Sequence, residues 1–187
     1  MPDEPDSRRS PTGRAASVPL WLSLDIVQEA ESWTSVEGFE ALIEDAGRAL
    51  AALPRFSDLA SAEACVALSD DASVHDLNLR YRGKDKPTNV LSFPASVAGH
   101  PGAEVVPRAL GDLVLAHETL VREAAEQGIP LAHHLQHLVV HGLLHLLGFD
   151  HETERDAEEM EAIEVEILAG LGIPNPYQDE TTPIAAS

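Results

Sequence analysis

Residues 130–151 read Pro130-Leu-Ala-His133-His134-Leu-Gln-His137-Leu-Val-Val-His141-Gly-Leu-Leu-His145-Leu-Leu-Gly148-Phe-Asp-His151. The segment 130–147 is helical in pattern, with Pro130 suited to the first turn and Gly148 to the left-handed position just past the end. Spacing then sorts the histidines. His141 and His145 are four apart on one face, about 6 Å along the axis, so both imidazoles can reach one metal. His137 shares that face but lies about 12 Å from His145, too far for two ligands that must each sit about 2 Å from one ion. A straight helix supplies a pair, and the third ligand must come from chain that turns back. Gly148-Phe-Asp-His151 supplies both a turn and a histidine.

His141 and His145 stand among Leu143, Leu144, Leu146 and Leu147, where imidazoles without partners would be costly to bury. Three neutral imidazoles leave a fourth zinc position open, as a catalytic site requires. His141, His145 and His151 are therefore the expected ligands of one Zn2+ ion. His133, His134 and His137 read as ordinary surface or core histidines. Asp150 reads as an acceptor for a ligand N–H rather than as a ligand. The same spacing occurs in metzincin proteases, H-E-x-x-H-x-x-G-x-x-H, whose Glu is the general base. Here that position is Gly142, and Met160 falls inside a helical pattern rather than a Met-turn. A metalloprotease is thus a minor alternative.

Working outward, helical patterns flank this segment over 117–127 and 152–169, the latter with Met160, Ile163, Ile167 and Leu171 as its buried stripe. Upstream, Leu20, Leu22, Leu24 and Ile26 alternate with polar or aromatic positions as in a half-buried strand. Residues 39–53 repeat at helical spacing, with Ser35 as the expected N-cap and Pro54 just past the end. Strands are expected over 62–68, 89–93 and 110–115, and a short helix with Val74, Leu77 and Tyr81 marking one face ends at Gly83. Residues 94–108 hold three Pro and two Gly and read as one long loop. The expected fold is α+β: a small mixed sheet of about four strands with packed helices and a zincin-like metal-site helix. A chain of 187 residues, 44% apolar, has room for one core, so a single domain is expected over 19–177, with a disordered N-terminal tail over 1–18 and a C-terminal tail over 178–187.

Twelve Lys+Arg against 32 Asp+Glu give a formal net charge of −20. Such a chain repels polyanions at long range, which disfavours non-specific binding to DNA, RNA or acidic membranes and confines any RNA contact to a local patch. The apolar-looking stretch 138–149 is too short to cross a bilayer, and residues 1–18 lack the apolar core of a signal peptide. The lone Cys65, in Ala64-Cys65-Val66-Ala67-Leu68, reads as a core residue and fits a reducing cytoplasm. Four of the twelve basic residues, Arg80, Arg82, Lys84 and Lys86, fall within seven positions. By themselves they read as a solvated turn.

That turn belongs to Arg80-Tyr-Arg82-Gly-Lys84-Asp-Lys86-Pro-Thr-Asn-Val-Leu-Ser-Phe-Pro94. Together with Leu110-Gly-Asp-Leu-Val114 and the histidine motif, it closely resembles the endoribonuclease YbeY family of bacterial rRNA maturation factors, over about 62–177. The resemblance implies a zinc-dependent, single-strand-specific endoribonuclease of the cytoplasm. It would act in small-subunit rRNA maturation, especially at the 3′ end, and in ribosome quality control, with the small ribosomal subunit and its assembly factors as partners. His141, His145 and His151 would be the zinc ligands, and Arg82 the arginine placed near the metal cleft for RNA and catalysis. Arg80, Lys84 and Lys86 would contact phosphates without reading sequence. A non-catalytic, zinc-stabilised assembly factor is the competing reading.

Overall fold

Four strands form one mixed sheet in the order β1-β2-β4-β3: β1 (Leu22–Gln28), β2 (Ala62–Ser69), β3 (Val90–Pro94) and β4 (Arg108–Ala116). β1, β2 and β4 run parallel, and β3 closes one edge antiparallel to β4. Five helices pack around it: α1 (Phe39–Ala51), α2 (Asp71–Arg82), α3 (His117–Gln127), α4 (Leu131–Leu146) and α5 (Glu154–Gly170). The α+β expectation therefore holds. The structure, a computed structural model, describes residues 21–96 and 107–178. The expected tail over 1–18, nearly all of that over 178–187 and most of the expected loop over 94–108 lie outside the described residues. No helix among the described residues is long and apolar enough to cross a membrane.

Period-2 alternation decides which face each strand residue covers. Ala62, Ala64, Val66 and Leu68 of β2 join Leu113 and Leu115 of β4 in the main core under α1 and α4. Ala67, Val114 and Leu91 point the other way and meet Val74 of α2 in a smaller cluster. Cys65 also falls on this second face, half-buried between Asp25 and Asp112, its register partners on β1 and β4. It is not in the main core as expected. Burial, then Asp112 and Asp25, push its thiol above the ordinary range.

α4 is the central helix, packing against α1, α3, α5, β3 and β4. Leu135, Val139, Val140, Leu143 and Leu144 are fully buried, and each such side chain stabilises the fold by about 1.5–3 kcal/mol. A metal site on this helix therefore sits on a rigid element. Position 142 is where α4 meets the sheet. A Cβ there would lie 2.8 Å from Leu113 Cδ2 and 3.4 Å from Ser92 Oγ, so glycine permits the close approach.

Two local expectations change. Ser35 does not cap α1; it ends a 3-10 turn over Glu31–Ser35 that buries Trp33, and Gly38 holds the N-cap position. Pro130 stands at the N-cap of α4, one residue before the helix proper. Val74, Leu77 and Tyr81 do share one face of α2: Val74 is buried, Leu77 packs on the small cluster and Tyr81 meets Phe93, although Tyr81 itself stays 70% exposed.

Candidate metal centre

The last turns of α4 carry His141 and His145, and Gly148 then takes φ +96°. The amide of Gly148 donates to the His145 carbonyl and that of Phe149 to the Leu144 carbonyl, the paired bonds that close a helix at a left-handed residue. The Phe149 ring packs edge-to-face on Phe56, centroids 6.1 Å apart, and pins the reversed chain. His151 is thereby carried back to the other two. One potential ligand atom from each of His141, His145 and His151 lies within 4.8 Å of the others.

Hydrogen bonds on the far side of the rings set the tautomers. His141 Nδ1 donates to Glu164 Oε1 at 2.7 Å, and His145 Nδ1 donates to the Phe149 carbonyl at 3.0 Å. A carboxylate and a carbonyl can only accept, so both Nδ1 atoms carry a proton, and the tautomer this selects presents an Nε2 lone pair on each ring. Those two Nε2 atoms face each other at 3.1 Å. Lone pairs that close require a cation between them. Two ligands about 2.0–2.1 Å from a tetrahedral zinc are themselves about 3.3 Å apart, so the donor set fits Zn2+. Burial, reinforced by His141 and His151, holds His145 below the ordinary histidine range and so favours the neutral ligand form.

Glu164 is the residue that reading the sequence missed. It is fully buried on α5 and accepts from His141 Nδ1, from His137 Nε2 at 3.1 Å and from the Tyr177 hydroxyl. Burial alone would raise its carboxyl, yet hydrogen bonds from His137, His141 and Tyr177 outweigh that and hold it at about 2. Burial and Glu164 in turn push the Tyr177 phenol well above its ordinary range. A signal was present: position 164 continues the stripe of Met160, Ile163, Ile167 and Leu168, and a carboxylate on a buried apolar face needs a partner.

Other expectations sort accordingly. Asp150 does not serve a ligand ring; its carboxylate accepts from the His151 amide, and Glu164 and the Phe149 carbonyl hold the rings instead. His137 is not an isolated histidine, since it shares Glu164 with His141. His134 is buried and paired with Glu123 Oε2 at 2.9 Å, which also accepts from Asn89 Nδ2. His133, His137 and His141 line a cleft of about 1140 Å³ that Tyr177 bounds. At Gly142, pressed on Leu113, any side chain, including the Glu a metzincin protease uses there, would require Leu113 to shift.

The basic segment is arranged differently. Arg82 Nη2 donates to the Ser92 carbonyl on edge strand β3 at 3.1 Å, and Ser92 Oγ donates to the Gly142 carbonyl between the two helix ligands at 3.4 Å. Arg82 is thus tied to the metal helix through one residue. Arg80 pairs with Asp76 at 2.9 Å on the surface of α2. Lys84 and Lys86 are exposed, and the Lys86 carbonyl accepts from Asn78 Nδ2.

Comparison with known proteins gives these features a context. The profile of the family described as "Endoribonuclease YbeY" matches residues 26–172. An "Endoribonuclease YbeY" of Rhodopseudomonas palustris (strain HaA2) is 49% identical over 160 residues, covering 83% of this chain and 82% of its own length. One from Nitrobacter hamburgensis is 45% identical over 179 residues, covering 94% of each chain. Among solved structures, the solution structure of TM1509 from Thermotoga maritima aligns with TM-score 0.50 at 22% identity, covering 86% of this chain and all of that one, a likeness of fold. The match runs through the whole histidine motif, the basic segment and Glu164, and on it the chain belongs to the endoribonuclease YbeY family.

Proposed function

We propose that this chain is a Zn2+-dependent, single-strand-specific endoribonuclease that acts in small-subunit rRNA maturation, especially at the 3′ end, and in ribosome quality control. Its partners are single-stranded rRNA, the small ribosomal subunit and assembly factors, it works in the cytoplasm, and residues 19–177 form the catalytic unit. Family membership supports an endonuclease that hydrolyses RNA. The observation that carries the metal is the pair of facing Nε2 atoms at 3.1 Å whose rings are both committed on the Nδ1 side.

Zn2+, when bound, supplies a Lewis acid for a phosphoryl oxygen and for a water nucleophile. His141, His145 and His151 hold it, Glu164 fixes the His141 tautomer, and the Phe149 carbonyl fixes that of His145. Arg82 spends one of its N–H groups on the Ser92 carbonyl. Its remaining donors form a planar fork for a phosphate as charge develops. Arg80, Lys84 and Lys86 hold the strand by its phosphates.

The test is cleavage of a labelled single-stranded RNA by wild type, His141→Ala and Arg82→Ala prepared identically. Loss of cutting in both variants is expected. Equal cutting by all three would assign the activity to a contaminant, and a cleavage rate that Arg82→Ala leaves unchanged would favour the non-catalytic assembly factor.

A further inference from the structure

Tyr81 lies in the basic segment, on the face of α2 that it shares with Val74 and Leu77, and it is 70% exposed. It is not a loose side chain. Its ring meets that of Phe93 edge-to-face, centroids 5.4 Å apart and planes at 70°, and Phe93 is itself anchored on the small cluster of Leu91, Val74 and Val114. A single exposed aromatic is ordinary. One seated on an anchored second ring of the strand to which Arg82 is tied is a preorganised flat surface beside a cation, while Arg80 is paired with Asp76.

Its surroundings decide what could lie on it. Ser92 and Phe93 are successive residues of the edge strand and point to opposite faces. Ser92 reaches α4 through the Gly142 carbonyl, and Phe93 carries Tyr81 on the other side. Arg82 crosses the same edge to the Ser92 carbonyl, so the cations and the aromatic pair follow β3 outward from the metal helix. The open sheet face beyond Phe93 is closed to a polyanion. Its register neighbours are Asp112, then Cys65, then Asp25, and those carboxylates repel phosphate. A nucleic-acid backbone is thereby directed to the edge held by Arg82, with a base turned inward. Asp85, the one acid of the basic loop, is taken up by His75 at 2.7 Å.

We propose that Tyr81, seated on Phe93, is a stacking platform for one unpaired base of the RNA strand whose phosphates run along the β3 edge. The proposal rests on the endoribonuclease reading and extends it. Stacking requires a splayed, single-stranded base, and it is tolerant of base identity because every base has a flat face. The platform thus supplies selection for single strands without selection for sequence.

The test compares wild type, Tyr81→Phe, Tyr81→Leu and Tyr81→Ala in steady-state cleavage of a short labelled single-stranded RNA. In parallel, the substrate carries one abasic site moved position by position. Loss of stacking raises KM about tenfold in the Ala and Leu variants, with kcat changed much less, and Phe restores the wild-type KM. Wild type loses a similar factor at one abasic position, and the Ala variant shows no added loss there. Zinc content and circular dichroism check that the variants fold, which an exposed position allows. A wild-type KM in the Ala variant, or full activity in Leu, overturns the platform while wild-type cleavage leaves the nuclease reading standing. Wild-type protein that neither binds nor cuts RNA overturns both.

Discussion

The two ends of the working surface are built to opposite tolerances. Where α4 meets α5, the Nδ1 atoms of His141 and His145 each have a fixed partner, and those partners are a fully buried carboxylate and a main-chain carbonyl. Along α2 and β3, Arg82 has one main-chain anchor, Lys84 and Lys86 stand in solvent, and Tyr81 touches one ring. The difference follows from what each is proposed to hold. A zinc ion needs donors placed within a few tenths of an ångström, because the bonds are about 2 Å long and directional. A flexible strand is held by charge and stacking, which fall off slowly with distance and accept many geometries.

If this contrast is right, substitutions at the first end should act steeply and those at the second gradually. The largest effect is expected for His151→Ala, which removes the ligand that the turn delivers: zinc binding and cleavage should both fall by more than about a hundredfold, read by metal analysis and RNA cleavage. Next comes Glu164→Gln, which keeps the shape but replaces the carboxylate. Zinc affinity should drop about 10- to 100-fold in competition with a chelator.

The same carboxylate sets a pH dependence. Its folded value of about 2 lies below the ordinary 4.5, so its stabilising contribution is fully present above the unfolded value. It is lost as pH falls from about 4.5 towards about 2. Metal-free wild type should lose stability through that window, by an amount on the order of 3 kcal/mol. Glu164→Gln, followed by thermal melts across the same range, should show a flatter profile.

The gradual end is sharpened by Arg82→Lys, which retains the charge and loses the planar fork. Cleavage should fall about tenfold or more in kcat with a smaller change in KM. The smallest effects belong to Lys84→Ala and Lys86→Ala. Each should weaken RNA binding uniformly across sequences and reduce the slope of log affinity against log salt by about 0.7, measured by titration at several salt concentrations. A lysine variant as damaging as Glu164→Gln would break the contrast.

How much of this was legible in the sequence depended on the range of each interaction. The clustering of His141, His145 and His151 was legible because its geometry is local: a four-residue helical spacing, then a glycine whose positive φ returns the chain within three residues. The first strand followed from alternation and the helices from period. Glu164 and Tyr177 were hidden because they reach His141 and His137 across a helix pair, 23 and 40 positions away in sequence. Asp150, the nearest acid to the ligands, was the natural but mistaken substitute for that distant carboxylate. Tyr81 was placed on the face of Val74 and Leu77 by helical period, but period alone does not say how far a residue on that face is buried. Ser35 has the chemistry of a cap, but the burial of Trp33 draws that stretch into a 3-10 turn, and the helix starts beyond it.

The central claim is that His141, His145 and His151 together hold one zinc ion through ring nitrogens whose orientation the fold has already set. Zinc-edge X-ray absorption on the full-length protein, loaded with one equivalent of Zn2+, tests this most directly. The account predicts three imidazole nitrogens at about 2.0–2.1 Å and one lighter-atom oxygen, with one imidazole lost in His151→Ala. A shell with sulfur, a single histidine, or a spectrum that His151→Ala leaves unchanged would contradict it.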